Sequence, residues 1–126
     1  MAERQLLEML DKFSAAWNNH DIDALMECMA DDCVFYAAAG PGERGSEFRG
    51  RAGVAAAYEA VWKNFPDARW NNPRHFVSGN RGCTEWLFTG MSADGKVKSE
   101  VYGVDMFVFE NGKIKVKDSF RKNRTS

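Results

Sequence analysis

The chain is poor in the residues that metal centres, disulfide frameworks and flexible linkers require. Its 126 residues include two histidines, His20 and His75, and three cysteines, Cys28, Cys33 and Cys83. Neither histidine stands at ligand spacing from the other or from a cysteine, so no metal site is expected. An odd number of cysteines, each inside an apolar stretch, points to small buried hydrophobes in a reducing cytoplasm rather than to bridges. Seventeen basic and eighteen acidic residues leave a net charge of -1, too little to create a field that attracts nucleic acid or an anionic bilayer. No run approaches the roughly 20 apolar residues of a membrane span, and MAERQLLEMLDKF scatters charges where a signal peptide needs an apolar core. Only three prolines occur, with no Pro/Ser-rich linker and no internal repeat, so residues 1–126 are expected to form one domain.

What is present is strong periodicity. Leu6, Leu10, Phe13 and Trp17 fall on one face of a first helix. Asp21 is placed to cap a second helix that turns Leu25, Met26 and Met29 inward, and Asp31-Asp32 is expected to end it before a strand at Cys33-Val34-Phe35-Tyr36. Val54, Tyr58, Val61, Trp62 and Phe65 mark a third helix, stopped by Pro66. Beyond it, segments near 69–78, 83–90, 97–109 and 113–121 are rich in aromatic and β-branched residues. Gly79-Asn80-Arg81-Gly82, Ala93-Asp94-Gly95 and Asn111-Gly112 separate them as hairpin turns. Helices first and strands last predict an α+β fold, a curved antiparallel sheet wrapped around three N-terminal helices.

One literal motif is misleading. Gly40-Pro41-Gly42-Glu43-Arg44-Gly45 spells the dinucleotide fingerprint, but five residues separate it from the next helix, whose N-terminus would have to meet the pyrophosphate. A surface loop is expected there and no cofactor, with Arg44, Arg49 and Arg51 as candidates for a cationic lid.

Phe13 to Phe35 (FSAAWNNHDIDALMECMADDCVF) and Asp105 to Phe120 (DMFVFENGKIKVKDSF), with Phe65-Pro66-Asp67 between them, resemble the SnoaL-like, or polyketide-cyclase-like, branch of the nuclear transport factor 2-like superfamily. That superfamily includes ketosteroid isomerase. The resemblance covers nearly the whole chain and implies a cone-shaped, cystatin-like α+β roll enclosing an apolar pocket. It also implies a homodimer joined back to back through the sheet, for which Leu87, Val101 and Phe107 are the outward-facing candidates. The isomerase's catalytic positions fall on Ala37, Phe13 and a place near Val104, so its polar groups are missing. The histidine and aspartate of the polyketide cyclases fall near Val104 and Ser119, to within about one residue. In that register Val104, Lys117 and Ser119 point inward and Asp105 outward.

Candidate catalytic groups are therefore Lys117, to polarise a carbonyl or hold a carboxylate, and Asp105, His75 and Glu100 as acids or bases. Phe13, Trp17, Tyr36, Tyr58, Trp62, Trp86, Phe88, Tyr102, Val104 and Ser119 are candidates to line the pocket. Stacked rings with a few polar groups suit a flat hydrophobic small molecule, aromatic or polycyclic. Two readings follow, a cofactor-independent isomerase, cyclase or dehydratase using acid–base chemistry, and a non-catalytic ligand-binding or interaction domain.

Overall fold

A computed structural model describes residues 2–125. Three helices, α1 (Glu3–Asn18), α2 (Ile22–Glu27) and α3 (Gly50–Asn64), pack on six strands, β1 (Met29–Tyr36), β2 (Glu47–Arg49), β3 (Arg69–Ser78), β4 (Arg81–Met91), β5 (Lys98–Glu110) and β6 (Lys113–Arg121). The strands form one unclosed sheet in the order β2-β1-β6-β5-β4-β3. All neighbours are antiparallel except β1 and β6, which run parallel. The expected α+β roll is the fold observed.

Local chemistry explains the joints. Leu6, Leu10, Phe13 and Trp17 are all buried on the sheet side of α1, and burying four such side chains supplies roughly 1.5–3 kcal/mol each toward packing. The helix then stops in a clamp. Asn18 gives its Nδ2 to the Trp70 carbonyl at 3.0 Å and takes the Trp70 N–H at 2.8 Å, while His20 Nε2 lies 2.9 Å from the Ala68 carbonyl. Asp21 Oδ1 accepts from Ala24 N at 3.1 Å and starts α2, as its sequence position predicts. Asp67 Oδ1 accepts from Met91 N at 2.8 Å, tying the turn after α3 to the end of β4. At the last hairpin Asn111 and Gly112 have φ of 51° and 75°, the pair of left-handed residues that a two-residue type I′ turn demands.

One boundary differs from expectation. Asp31-Asp32 lies within β1 rather than in a turn before it, and Met29 belongs to the strand rather than to α2. The cause is early capture by β6: Ile114 N donates to Cys28 O at 2.8 Å, Met29 pairs with Ile114, and the register shifts before Val34. The two exposed carboxylates sit in that irregular stretch, where Asp32 bonds Lys115.

The inner face of the sheet is set by β4, β5 and β6. Trp86 and Phe88 on β4 turn inward, with Asp105, Phe107 and Phe109 on β5 and Ile114, Lys117 and Ser119 on β6. Gly103, paired with Trp86, is the close approach that permits this. A Cβ there would lie 2.4 Å from the Trp86 ring and 2.4 Å from the Phe120 carbonyl. Gly103→Ala is expected to lower stability by about 1–3 kcal/mol, as overpacking does, and to shift the tryptophan emission. Urea unfolding with an unchanged midpoint would show that the indole yields without cost.

Candidate functional site

A cavity of about 630 Å³ opens between α3, the loop of residues 37–46 and the inner face of the sheet. Its walls divide by chemistry. Trp17, Phe35, Phe48, Trp70 and Trp86 supply rings, and Ala37, Ala38, Ala39, Ala56, Ala57 and Ala60 supply a wall of methyl groups. Its polar lining comes from neighbouring strands: Asp105 of β5 and Lys117 and Ser119 of β6 form the floor, and Arg121 of β6 stands at the mouth. A wider groove of about 820 Å³ lies outside the rim, between residues 97–101 and the chain's last residues. The ionisable side chains on its walls are exposed, whereas Lys117 and Asp105 of the ring-lined cavity are buried, so chemistry is concentrated there.

The floor is one connected network. Lys117 Nζ donates to Ser119 Oγ at 2.9 Å, and Ser119 Oγ donates to Asp105 Oδ1 at 2.6 Å. A hydroxyl carries one hydrogen, so Ser119 accepts from lysine and gives to the carboxylate, which fixes the direction of the chain. Trp86 Nε1 donates to Asp105 Oδ2 at 3.0 Å, and Lys117 Nζ stands 3.4 Å from Asp105 Oδ1. The two charged side chains are only 6% and 8% exposed. Three rings surround the ammonium, with Nζ 4.3 Å from the Phe35 centroid, 5.1 Å from Trp17 and 5.3 Å from Tyr58. Burial pushes the Lys117 pKa below the ordinary lysine value, and the nearby Asp105 carboxylate pulls it back only in part. At the mouth, the Arg121 guanidinium lies 4.2 Å from the Phe88 centroid. The cavity thus presents two cations, one at its floor and one at its mouth, and one carboxylate.

The expected register is off by one residue on β5. Asp105 pairs with Ser119 and Val104 with Phe120, and directly opposed residues share a face. With Ser119 inside, Asp105 must be inside and Val104 outside, the reverse of the expectation. The same slip carries Tyr102 to the outer face, 57% exposed. It also turns Val101 and Phe107 inward, leaving only Leu87 of the three expected outward residues on the outer face, opposite Tyr102.

Other candidates are placed as follows. Phe13, Tyr58 and Phe88 are buried behind the cavity and pack edge-on against other rings rather than lining it. Trp62 stacks on His20 at 5.0 Å on the far side of Trp17, and Tyr36 points to the outer face beneath Arg44. Glu100 is exposed on the outer side of β5. His75 lies on the inner face but under α1, with Nδ1 2.7 Å from Thr84 Oγ1. Asp11 Oδ1 approaches its Nε2 to 3.0 Å but outside hydrogen-bond geometry, so that contact is ionic at most. The three loop arginines are engaged away from the cavity: Arg44 with Asp118, Arg49 with Glu47, and Arg51 with the Met29 carbonyl. The alanine wall escaped sequence reasoning, since a methyl group announces nothing and a space is visible only in three dimensions; Arg121, two residues beyond Ser119 on the same strand face, could have been found by strand alternation.

A buried ion pair is costly to break and cheap to replace whole. Asp105→Asn and Lys117→Met should each lower unfolding stability by about 3 kcal/mol, because each strands its partner, while the double variant should recover most of the loss. Additive losses in urea unfolding would show that the two charges do not depend on each other.

Comparison with solved structures places this arrangement among known folds. A nuclear transport factor 2-like protein of unknown function from Mesorhizobium loti is 26% identical, with a TM-score of 0.79 over 96% of this chain and 93% of the other. A Xanthomonas campestris protein provisionally described as a polyketide cyclase superposes with a TM-score of 0.82 at 18% identity, covering 96% and 92% of the two chains. A second protein of that organism, of unknown function and with a cystatin-like fold, gives 0.80 at 19% identity over 94% and 91%. A search of curated proteins finds no match to the sequence. The sequence profile of the SnoaL-like domain, by contrast, matches residues 10–116, which span α1 beyond its first turns, α2, α3, β1 to β5 and the first part of β6. The chain belongs to the SnoaL-like domain family.

Proposed function

We propose that the cavity binds a flat, largely apolar organic molecule whose oxygen-bearing end meets Lys117 and Arg121, and that Asp105 carries out acid–base chemistry on it without a cofactor. The observation that carries this reading is the Lys117–Asp105 pair, 3.4 Å apart and buried against a ring-lined space. Desolvated charges are expensive, and a fold that keeps them against a cavity has them available to a guest. Rings and methyl groups supply affinity by excluding water, and the excess positive charge selects a carbonyl, carboxylate or enolate oxygen. An enolate formed by loss of an α-proton would be held by the two cations while the carboxylate carries the proton, which is the isomerase or cyclase type of step. The second reading, binding without turnover, is favoured by one feature: Trp86, Ser119 and Lys117 already surround the Asp105 oxygens, so the carboxylate is engaged before any guest arrives.

Two measurements separate these readings. Naphthyl ketones and carboxylates should quench tryptophan emission saturably, and Ala57→Leu, which fills the methyl wall, should weaken binding at least about tenfold with unchanged circular dichroism. Solvent deuterium should enter the α-position of a bound ketone, as followed by NMR, and Asp105→Asn should abolish that exchange. Quenching without exchange would leave only the binding module, and no quenching would remove the pocket.

We propose further that two copies associate through the outer face of the sheet. Phe76, Tyr102 and Phe120 are each more than half exposed there. Arg74 and Glu85 stand beside them 4.0 Å apart, a pair of opposite charges that a two-fold axis can match with itself. Sedimentation should give a dimer at micromolar concentration for the parent chain and a monomer for Tyr102→Glu. A parent that sediments as a monomer would defeat the idea.

A further inference from the structure

The polar floor contains a nucleophile as well as an acid–base group. Lys117 is placed in a cage of three rings, at the end of a cavity large enough for a bicyclic or tricyclic guest, and is joined through a serine hydroxyl to a carboxylate. Each part answers a requirement of imine chemistry. The amine must be free of its proton, and the path Lys117 Nζ to Ser119 Oγ to Asp105 Oδ1, at 2.9 and 2.6 Å, provides a route for that proton to an acceptor. Burial shifts the lysine in the direction that favours the neutral amine, as it does where desolvated lysines act as nucleophiles. The surroundings must be dry enough that the imine is not hydrolysed at once, and Phe35, Trp17 and Tyr58 shield Nζ. Other lysines of the chain, such as Lys12, Lys63 and Lys96, are exposed.

We propose that Lys117 forms a covalent imine with an aromatic aldehyde or ketone bound in the cavity. The Lys117 ammonium passes one proton through Ser119 to Asp105. The nitrogen lone pair then attacks the carbonyl carbon, forming a C–N bond as the C=O π pair moves to oxygen. A second proton leaves the nitrogen, and the oxygen receives both protons. The C–O bond breaks to release water while the nitrogen lone pair forms C=N, and one hydrogen remains on the iminium nitrogen. Ammonium plus carbonyl compound therefore gives iminium plus water, with charge conserved and no oxidant or reductant consumed. The iminium withdraws electrons from the adjacent carbon more strongly than a neutral carbonyl, and the Asp105 carboxylate stands 3.4 Å from the nitrogen to accept an α-proton where the ligand has one.

This inference rests on the pocket reading above, and the experiment distinguishes the two. The protein is incubated with 2-naphthaldehyde and sodium cyanoborohydride, which converts an imine into a stable secondary amine, and the adduct is mapped by mass spectrometry of peptides. Quenching of tryptophan emission by the aldehyde alone is recorded in parallel. Expected are saturable quenching, one adduct per chain on Lys117, labelling at least tenfold faster than at Lys12 or Lys63, and loss of that adduct in Lys117→Arg, whose quenching is weaker but still saturable. Ser119→Ala should slow labelling of Lys117 even at saturating aldehyde, where a change in affinity drops out of the rate, which a merely structural serine would not do. Saturable quenching with no adduct on Lys117, or with adducts spread over exposed lysines at equal rates, overturns the imine and leaves the pocket standing. Absence of both quenching and adduct overturns the pocket with it.

Discussion

The pairing of β5 with β6 is the constraint on which the interior depends. Strand side chains alternate, so one register decides the whole inner face at once. Asp105 opposite Ser119 and Phe107 opposite Lys117 bring a carboxylate, a hydroxyl and an ammonium to one surface, with Arg121 following two residues later opposite Gly103. Shifting β6 by a single residue would turn the hydroxyl and the ammonium to the outer face and bring Asp118 and Val116 inward. The Asn111-Gly112 turn is what prevents the slip, since a two-residue loop leaves no slack between strands that must pair from Glu110-Lys113 onward. The bulge between Val108 and Phe109 is the one irregularity in that ladder.

A second dependence runs through an absence of side chain. Trp86 reaches diagonally across β5 to Asp105, and its ring needs the space above Gly103. The indole then does two jobs, holding one carboxylate oxygen and walling the cavity. Opposite it, α3 presents Ala56, Ala57 and Ala60, so the distance between helix and sheet is filled by neither side. The cavity exists because large residues on the sheet face small ones on the helix, whereas behind it Phe13, Tyr58 and Phe107 close ring against ring.

Much of this was legible before any coordinates. The four-residue recurrence in α1, Asp21 as a cap, the Asn111-Gly112 hairpin and the family markers specified helices, strands and roll, because each reflects local geometry that no distant contact overrides. Trp17-Asn18-Asn19-His20-Asp21 is such a marker, and its meaning is now physical: Asn18 lashes the end of α1 to β3, His20 meets the carbonyl of Ala68 just before that strand, and Asp21 begins α2. The site was legible as a set of residue types but not as a constellation. Lys117, Asp105 and Ser119 stood out by chemistry, yet which of Val104 and Asp105 faced inward turned on the bulge between Val108 and Phe109, without which the Asn111-Gly112 hairpin would set Val104 opposite Ser119. Asp31-Asp32 misled because two adjacent carboxylates read as a turn, while the parallel partner β6 drew them into a strand.

The same clamp at Asn18 has a bearing on how the chain behaves in company. β3 is the last strand of the sheet, and an uncovered last strand is an invitation to further strands. Along it the Trp70 backbone is already claimed by the Asn18 amide, Pro73 has no N–H to offer, Asn72 is twisted to φ 53°, and Arg74 carries charge. The opposite border, β2, is three residues long. A sheet so exposed at both margins is thereby guarded against growing sideways into fibrils.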